Sequence, residues 1–115
     1  MKQITVYGIK NCNTMQKAFA ALEAKGIAYV FHDYKKSGID AATLHKWCNK
    51  VEYEKLINTS GLTWKKLDDS TKAKLISQES AIALMMQHTS MIRRPIIDAG
   101  EKLIIGFDEA ELNKL

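Results

Sequence analysis

The sequence predicts an α/β fold with a mixed four-stranded sheet, and three observations carry that reading. Between residues 3 and 34 an apolar strand, a helical run and a second apolar strand follow one another, the pattern of a parallel βαβ unit with a crossover helix. Residues 95–105 place two short apolar stretches around a Gly-containing turn, the pattern of an antiparallel hairpin. The residues between, 38–88, carry helical rather than strand periodicity.

Taken in order, the first strand is expected at Gln3–Tyr7. Asn13–Lys25 follows as a helix with Met15, Ala18, Phe19 and Leu22 on one face, and Gly26 is its C-terminal stop. The second strand spans Ala28–Tyr34. In the middle, Asp40 caps a helix running to Asn49, a shorter segment lies near Glu54–Ile57, and helices are expected at Asp69–Ile76 and Ser80–His88. Pro95–Asp98 returns to strand character, the chain turns at Ala99–Gly100, and Lys102–Ile105 pairs back. After Gly106, Asp108 caps a last helix to Leu115. No Pro- or Ser-rich linker divides the chain, so 1–115 reads as a single domain with 38–88 inserted into it. The order βαβ, helices, ββα is that of a thioredoxin-like fold. By analogy with that fold, Pro95 is expected to be cis and to face the active thiol.

Composition narrows the function classes. A chain of 115 residues, 46% hydrophobic and 26% charged, is an ordinary globular domain able to bury its own core. Met1-Lys2-Gln3 runs into a strand without an apolar leader, and nowhere do about 18 apolar residues follow one another. The expectation is a cytoplasmic protein with no membrane partner. The net charge of +4 is spread along the chain, with pairs at Lys35-Lys36, Lys65-Lys66 and Arg93-Arg94, and forms no basic stripe with interleaved aromatics. Direct nucleic-acid binding is not expected. Cys12 and Cys48 lie far apart, without CxxC or metal-type spacing, which argues against a disulfide scaffold and against a zinc site.

Cys12 stands between a strand and a helix. There its sulfur faces the unsatisfied N–H groups and the positive end of the helix, which favour thiolate and lower a cysteine pKa from about 8.5. Lys10, two residues before, pushes the same way. The plain alternative is a small apolar core residue. Cys48, in Leu44-His45-Lys46-Trp47-Cys48, reads as a packing residue of a helix, with a resolving role as the alternative. His32, His45 and His88 show no triad order or metal spacing, and His88 suits a helix end. Trp47 and Trp64 read as core anchors in preference to a stacking platform. Arg93 and Arg94, neighbours on a strand, point to opposite faces, and Asp33 reads as a local cap.

Four segments together resemble the arsenate reductase (ArsC)/Spx family, with closest likeness to its small YffB-like branch. They are Tyr7-Gly8-Ile9-Lys10-Asn11-Cys12-Asn13-Thr14, Phe31-His32-Asp33-Tyr34, the run Asn58 to Leu67, and Ile92-Arg93-Arg94-Pro95-Ile96-Ile97. The resemblance implies that Cys12 is the nucleophile and that Arg94 binds an oxyanion or stabilises the thiolate. Two further arginines of the arsenate site have no counterpart, because Asn58 stands at one position and Gly106 near the other. Spx-type regulators carry a CxxC switch, whereas Met15 stands three residues after Cys12 here.

The resulting expectation is a single nucleophilic cysteine whose mixed disulfide is resolved by an external thiol, glutathione, as co-substrate. Lys10 and Arg94 would hold the thiolate and an anionic group. The N–H groups of Asn13 and Thr14 would form the helix-end anion site, and the backbone around Pro95 would pair with an extended peptide. Two alternatives stay beside it: arsenate reduction, and an Spx-like regulator that binds RNA polymerase without enzymatic activity.

Overall fold

The computed structural model describes residues 3–115. Its chain forms two compact units, one made of the stretch to Ser37 together with Arg93–Leu115, the other of Gly38–Ile92.

The first unit holds the sheet. Strand β1 (Thr5–Gly8) leads to helix α1 (Asn13–Ala24) and then to β2 (Val30–Asp33), which lies parallel to β1 with Tyr7 opposite His32. Gly26 ends α1 as expected. At φ +69 it lets its own N–H reach the Glu23 carbonyl and that of Ile27 reach Leu22, which satisfies two carbonyls of the last turn. Strand β2 is shorter than the Ala28–Tyr34 read from the apolar run. It pairs over four residues, and Tyr34 already belongs to helix α2 (Tyr34–Ser37). That short helix gave no periodicity to read; its one local signal is Asp33, whose carboxylate accepts from the Lys35 N–H at 2.9 Å.

The second unit is helical: α3 (Ala41–Cys48), a 3₁₀ turn at Tyr53–Leu56, α4 (Leu62–Lys66), α5 (Asp69–Ala73), α6 (Gln78–Gln87) and a 3₁₀ turn at Thr89–Met91. Helix α3 packs against α6, burying Leu44 and Trp47 on one and Ile82 and Met85 on the other. Asp40 caps α3 as expected, accepting from the Thr43 N–H at 2.8 Å. The helix expected to run to Ile76 ends at Ala73, because Ser77 and Ser80 form the capping box of α6 and the Ser80 hydroxyl also takes the Ile76 N–H. Helix α4 was not expected. It follows a turn built by Asn58, whose side-chain oxygen accepts from the Ser60 N–H and whose carbonyl accepts from Gly61.

The chain returns to the first unit at β3 (Ile96–Asp98) and β4 (Leu103–Ile105), which form the expected hairpin about Ala99–Gly100. Asp98 accepts from the Gly100 N–H at 2.9 Å, and Gly100 takes a φ of +85. Helix α7 (Glu109–Leu112), capped by Asp108, stops three residues short of the expected end. The strand order is β2-β1-β3-β4, with the first pair parallel and the others antiparallel, so the sheet is mixed. Val6, Ile97 and Ile104 of the sheet pack with Met15, Ala18 and Leu22 of α1 and with Leu112 of α7 to form the core. Among the described residues no helix is long and apolar enough to cross a membrane.

Candidate active site at Cys12

Cys12 is the N-cap of α1. Its backbone is extended (φ −142, ψ 129), its carbonyl accepts the first helical bond from the Gln16 N–H at 3.0 Å, and its side chain does not serve as the cap. A cap residue whose side chain leaves the first N–H groups unclaimed by oxygen brings its sulfur to them instead. Burial of the half-buried thiol raises its pKa. That effect is outweighed by the N–H groups of Met15 and Thr14 and by the Arg94 guanidinium, which bonds to the sulfur and attracts its charge. The net result is a Cys12 thiol below its ordinary range. Cys48 shifts the other way, pushed up by burial and by the charge of Glu79. Both cysteines are free thiols.

The groups expected at the site are not all brought to the thiol. Arg94 and Thr14 act on Cys12. Asn13 is exposed, and the second helix-end N–H is that of Met15, because the sulfur of an N-cap residue reaches N2 and N3 and not N1. Lys10 is exposed too; its backbone carbonyl accepts from Gln16 Nε2 at 3.0 Å, and the shift of Cys12 comes from other groups. Pro95 is buried and its bond to Arg94 is cis. Its carbonyl accepts from the Gly106 N–H at 2.8 Å, so with no N–H of its own it offers an extended peptide little pairing, and such pairing falls to its neighbours.

Gly8 and Met15 set the floor of the site. A Cβ on Gly8 would lie 2.3 Å from Met15 Sδ and 2.6 Å from Cε, and Met15 is fully buried, so the end of β1 and the first turn of α1 approach only because residue 8 has no side chain. Tyr7, His32 and Tyr34 pack ring on ring, with centroids 4.8 Å apart for Tyr7 and His32 and 6.4 Å for Tyr7 and Tyr34. His32 thus has a packing role. Tyr34, visible in the sequence only as part of a motif, is 2% exposed, and its hydroxyl is buried without a hydrogen-bond partner among the described residues.

The positions that lack arginine have structural duties of their own. Asn58 builds the turn before α4, and Gly106 holds a φ of +77, a conformation that would strain an arginine. Among the described residues no group of His, Cys, Asp and Glu is placed to hold a metal ion.

The ArsC family model matches residues 7–115, nearly the whole chain. This chain belongs to the ArsC family. An uncharacterized protein of Haemophilus influenzae is 37% identical to this ArsC chain over 108 residues, 94% of each. The solved structure of a protein called YffB is 39% identical and superposes with a TM-score of 0.92 over 97% of both chains. The global transcriptional regulator Spx of Streptococcus pneumoniae is 29% identical over 95% of this chain and 82% of its own. This ArsC protein has a thioredoxin-like fold, and these likenesses place it beside YffB and Spx proteins.

Proposed function

We propose that the protein is a thiol-dependent oxidoreductase that works through the single nucleophile Cys12, with glutathione as its co-substrate. The observation that carries this reading is the Cys12 thiol held below its ordinary range by the Met15 and Thr14 N–H groups and by Arg94 against the opposing effect of burial. A thiolate attacks sulfur electrophiles, and the position three residues on, where a resolving cysteine would sit, is a fully buried methionine.

In the first step the Cys12 thiolate attacks one sulfur of a disulfide. A Cys12–S–S–R bond forms, the R–S–S–R bond breaks, and RS⁻ leaves with the electron pair. A glutathione thiolate then attacks the R sulfur of the mixed disulfide. It forms G–S–S–R and returns Cys12 as a thiolate, so glutathione supplies the electrons. Arg94 holds the thiolate before attack and again as it leaves.

Arsenate reduction fits this site less well. An oxyanion wants several charge-assisted donors, and Asn58 and Gly106 bring no guanidinium where the arsenate site has one. The likeness to Spx supports a second reading, contact with RNA polymerase in a regulatory role.

Turnover of a disulfide with glutathione separates these readings. Cys12→Ser should abolish it and Cys48→Ser should leave most of it; equal loss in both variants would refute the monothiol scheme. Co-purification of polymerase with the tagged protein from a lysate, together with no turnover, would favour the regulatory reading.

A further inference from the structure

The Tyr34 hydroxyl is a buried polar group with no hydrogen-bond partner among the described residues, on a residue that is itself 2% exposed. Leaving such a group unpaired is costly, and folded proteins seldom tolerate it without a use. Strand register shows where it lies. Tyr7 sits opposite His32 on one side and Ile96 on the other. Tyr34 and Arg94 each stand two residues beyond those partners, β2 running parallel to β1 and β3 antiparallel. Both therefore leave the sheet at the same end of β1, the end from which the chain passes to Cys12. The charge of Arg94 reaches the phenol there: burial and Tyr7 push the Tyr34 hydroxyl up, and Arg94 draws it part of the way back.

Arg94 bonds to a sulfur that changes charge during the reaction. When the Cys12 thiolate becomes a mixed disulfide, the guanidinium loses an anionic acceptor in a half-buried place. A neutral phenol oxygen with unused lone pairs is an acceptor suited to a cation.

We propose that Tyr34 is a positioning residue of the thiol site, whose hydroxyl accepts from the Arg94 guanidinium while Cys12 is in the mixed-disulfide state. It keeps the guanidinium at hand for the moment the thiolate is released. The inference rests on the thiol-exchange reading of Cys12, though not on glutathione being the reductant.

The test uses hydroxyethyl disulfide, a neutral probe that gives Arg94 no carboxylate to bind instead. The Cys12 thiolate forms the Cys12–S–S–CH₂CH₂OH bond and expels one mercaptoethanol thiolate, and the equilibrium constant of this exchange is read by intact mass. Tyr34→Phe is expected to lower that constant about three- to tenfold, the range of an ordinary net hydrogen bond. It should leave the pH midpoint of Cys12 alkylation unchanged. The reduced Tyr34→Phe protein should melt at or above the temperature of the wild type, since the hydroxyl removed had no partner. With Arg94→Met in the background, Tyr34→Phe should no longer change the constant. An unchanged constant in the wild-type background, an equal fall in the Arg94→Met background, or a lower melting temperature of the reduced variant would each overturn the proposal. Failure of the wild type to form any adduct would instead remove the exchange reading, and this proposal with it.

Discussion

Cys12 draws its acidity from opposed effects, and the balance among them makes it useful. Burial favours the thiol, while the Met15 and Thr14 N–H groups and Arg94 favour the thiolate. Arg94→Ala should therefore raise the Cys12 pKa and slow its alkylation at neutral pH about three- to tenfold, the scale of one charge-assisted hydrogen bond at a half-exposed site. An unchanged pH profile would remove Arg94 from the site. The same shift links to stability. The folded Cys12 loses its proton at lower pH than the unfolded one, so between the two pKa values the unfolded state holds more protons and stability rises with pH. Wild type should gain stability over Cys12→Ser as pH rises through that window and lose the advantage as pH falls through the folded pKa. Denaturant midpoints of both proteins across pH measure it. At this scale, the place of Cys12 before a helix was legible in the sequence, and Arg94 came from the resemblance carried by Ile92–Ile97. The roles of Met15 and Tyr34 were not legible. Which N–H groups an N-cap sulfur reaches depends on cap geometry, and the isolation of the Tyr34 hydroxyl arises only when β2 ends and α2 begins at that residue.

The elements that carry the site meet through a glycine. Strand β1 ends at Gly8 against the Met15 side chain, and the first turn of α1, with its two N–H groups, is set by that contact. Gly8→Ala should cost about 1–3 kcal/mol, because a fully buried methionine must move to admit the methyl group. In the background of Met15→Ala, itself destabilising, Gly8→Ala should cost less, because the space is vacated. Thermal unfolding of the three variants checks this, and no loss in Gly8→Ala would show that α1 is positioned otherwise. Long elements with clear periodicity, such as α1 and α3, lay close to their expected bounds. The four- and five-residue helices α2 and α4 were invisible because one turn has no period, and what starts them is a single Asx side chain, Asp33 or Asn58. The ends of α5 and α6 were misplaced for a related reason: two serines claim the backbone between them.

For the whole molecule, the order βαβ, helices, ββα and the mixed sheet followed from sequence because strand runs and the hairpin turn are local signals. The second compact unit spans Gly38–Ile92, with Ile92 paired to Ile57 in an isolated bridge and the Met91 carbonyl accepting from the Asn58 N–H. In the proposed scheme, one nucleophile with no resolving cysteine three residues on would make the chemistry depend on an outside thiol, and the raised pKa of Cys48 fits it poorly for attack. At neutral pH a limiting amount of alkylating agent should therefore mark Cys12 well before Cys48. The most direct test of the account is the pH dependence of Cys12 alkylation, followed by the mass of the protein after exposure to oxidised glutathione. A midpoint below the usual thiol range and a single glutathione on Cys12 are expected. An ordinary or raised midpoint with no adduct would contradict it.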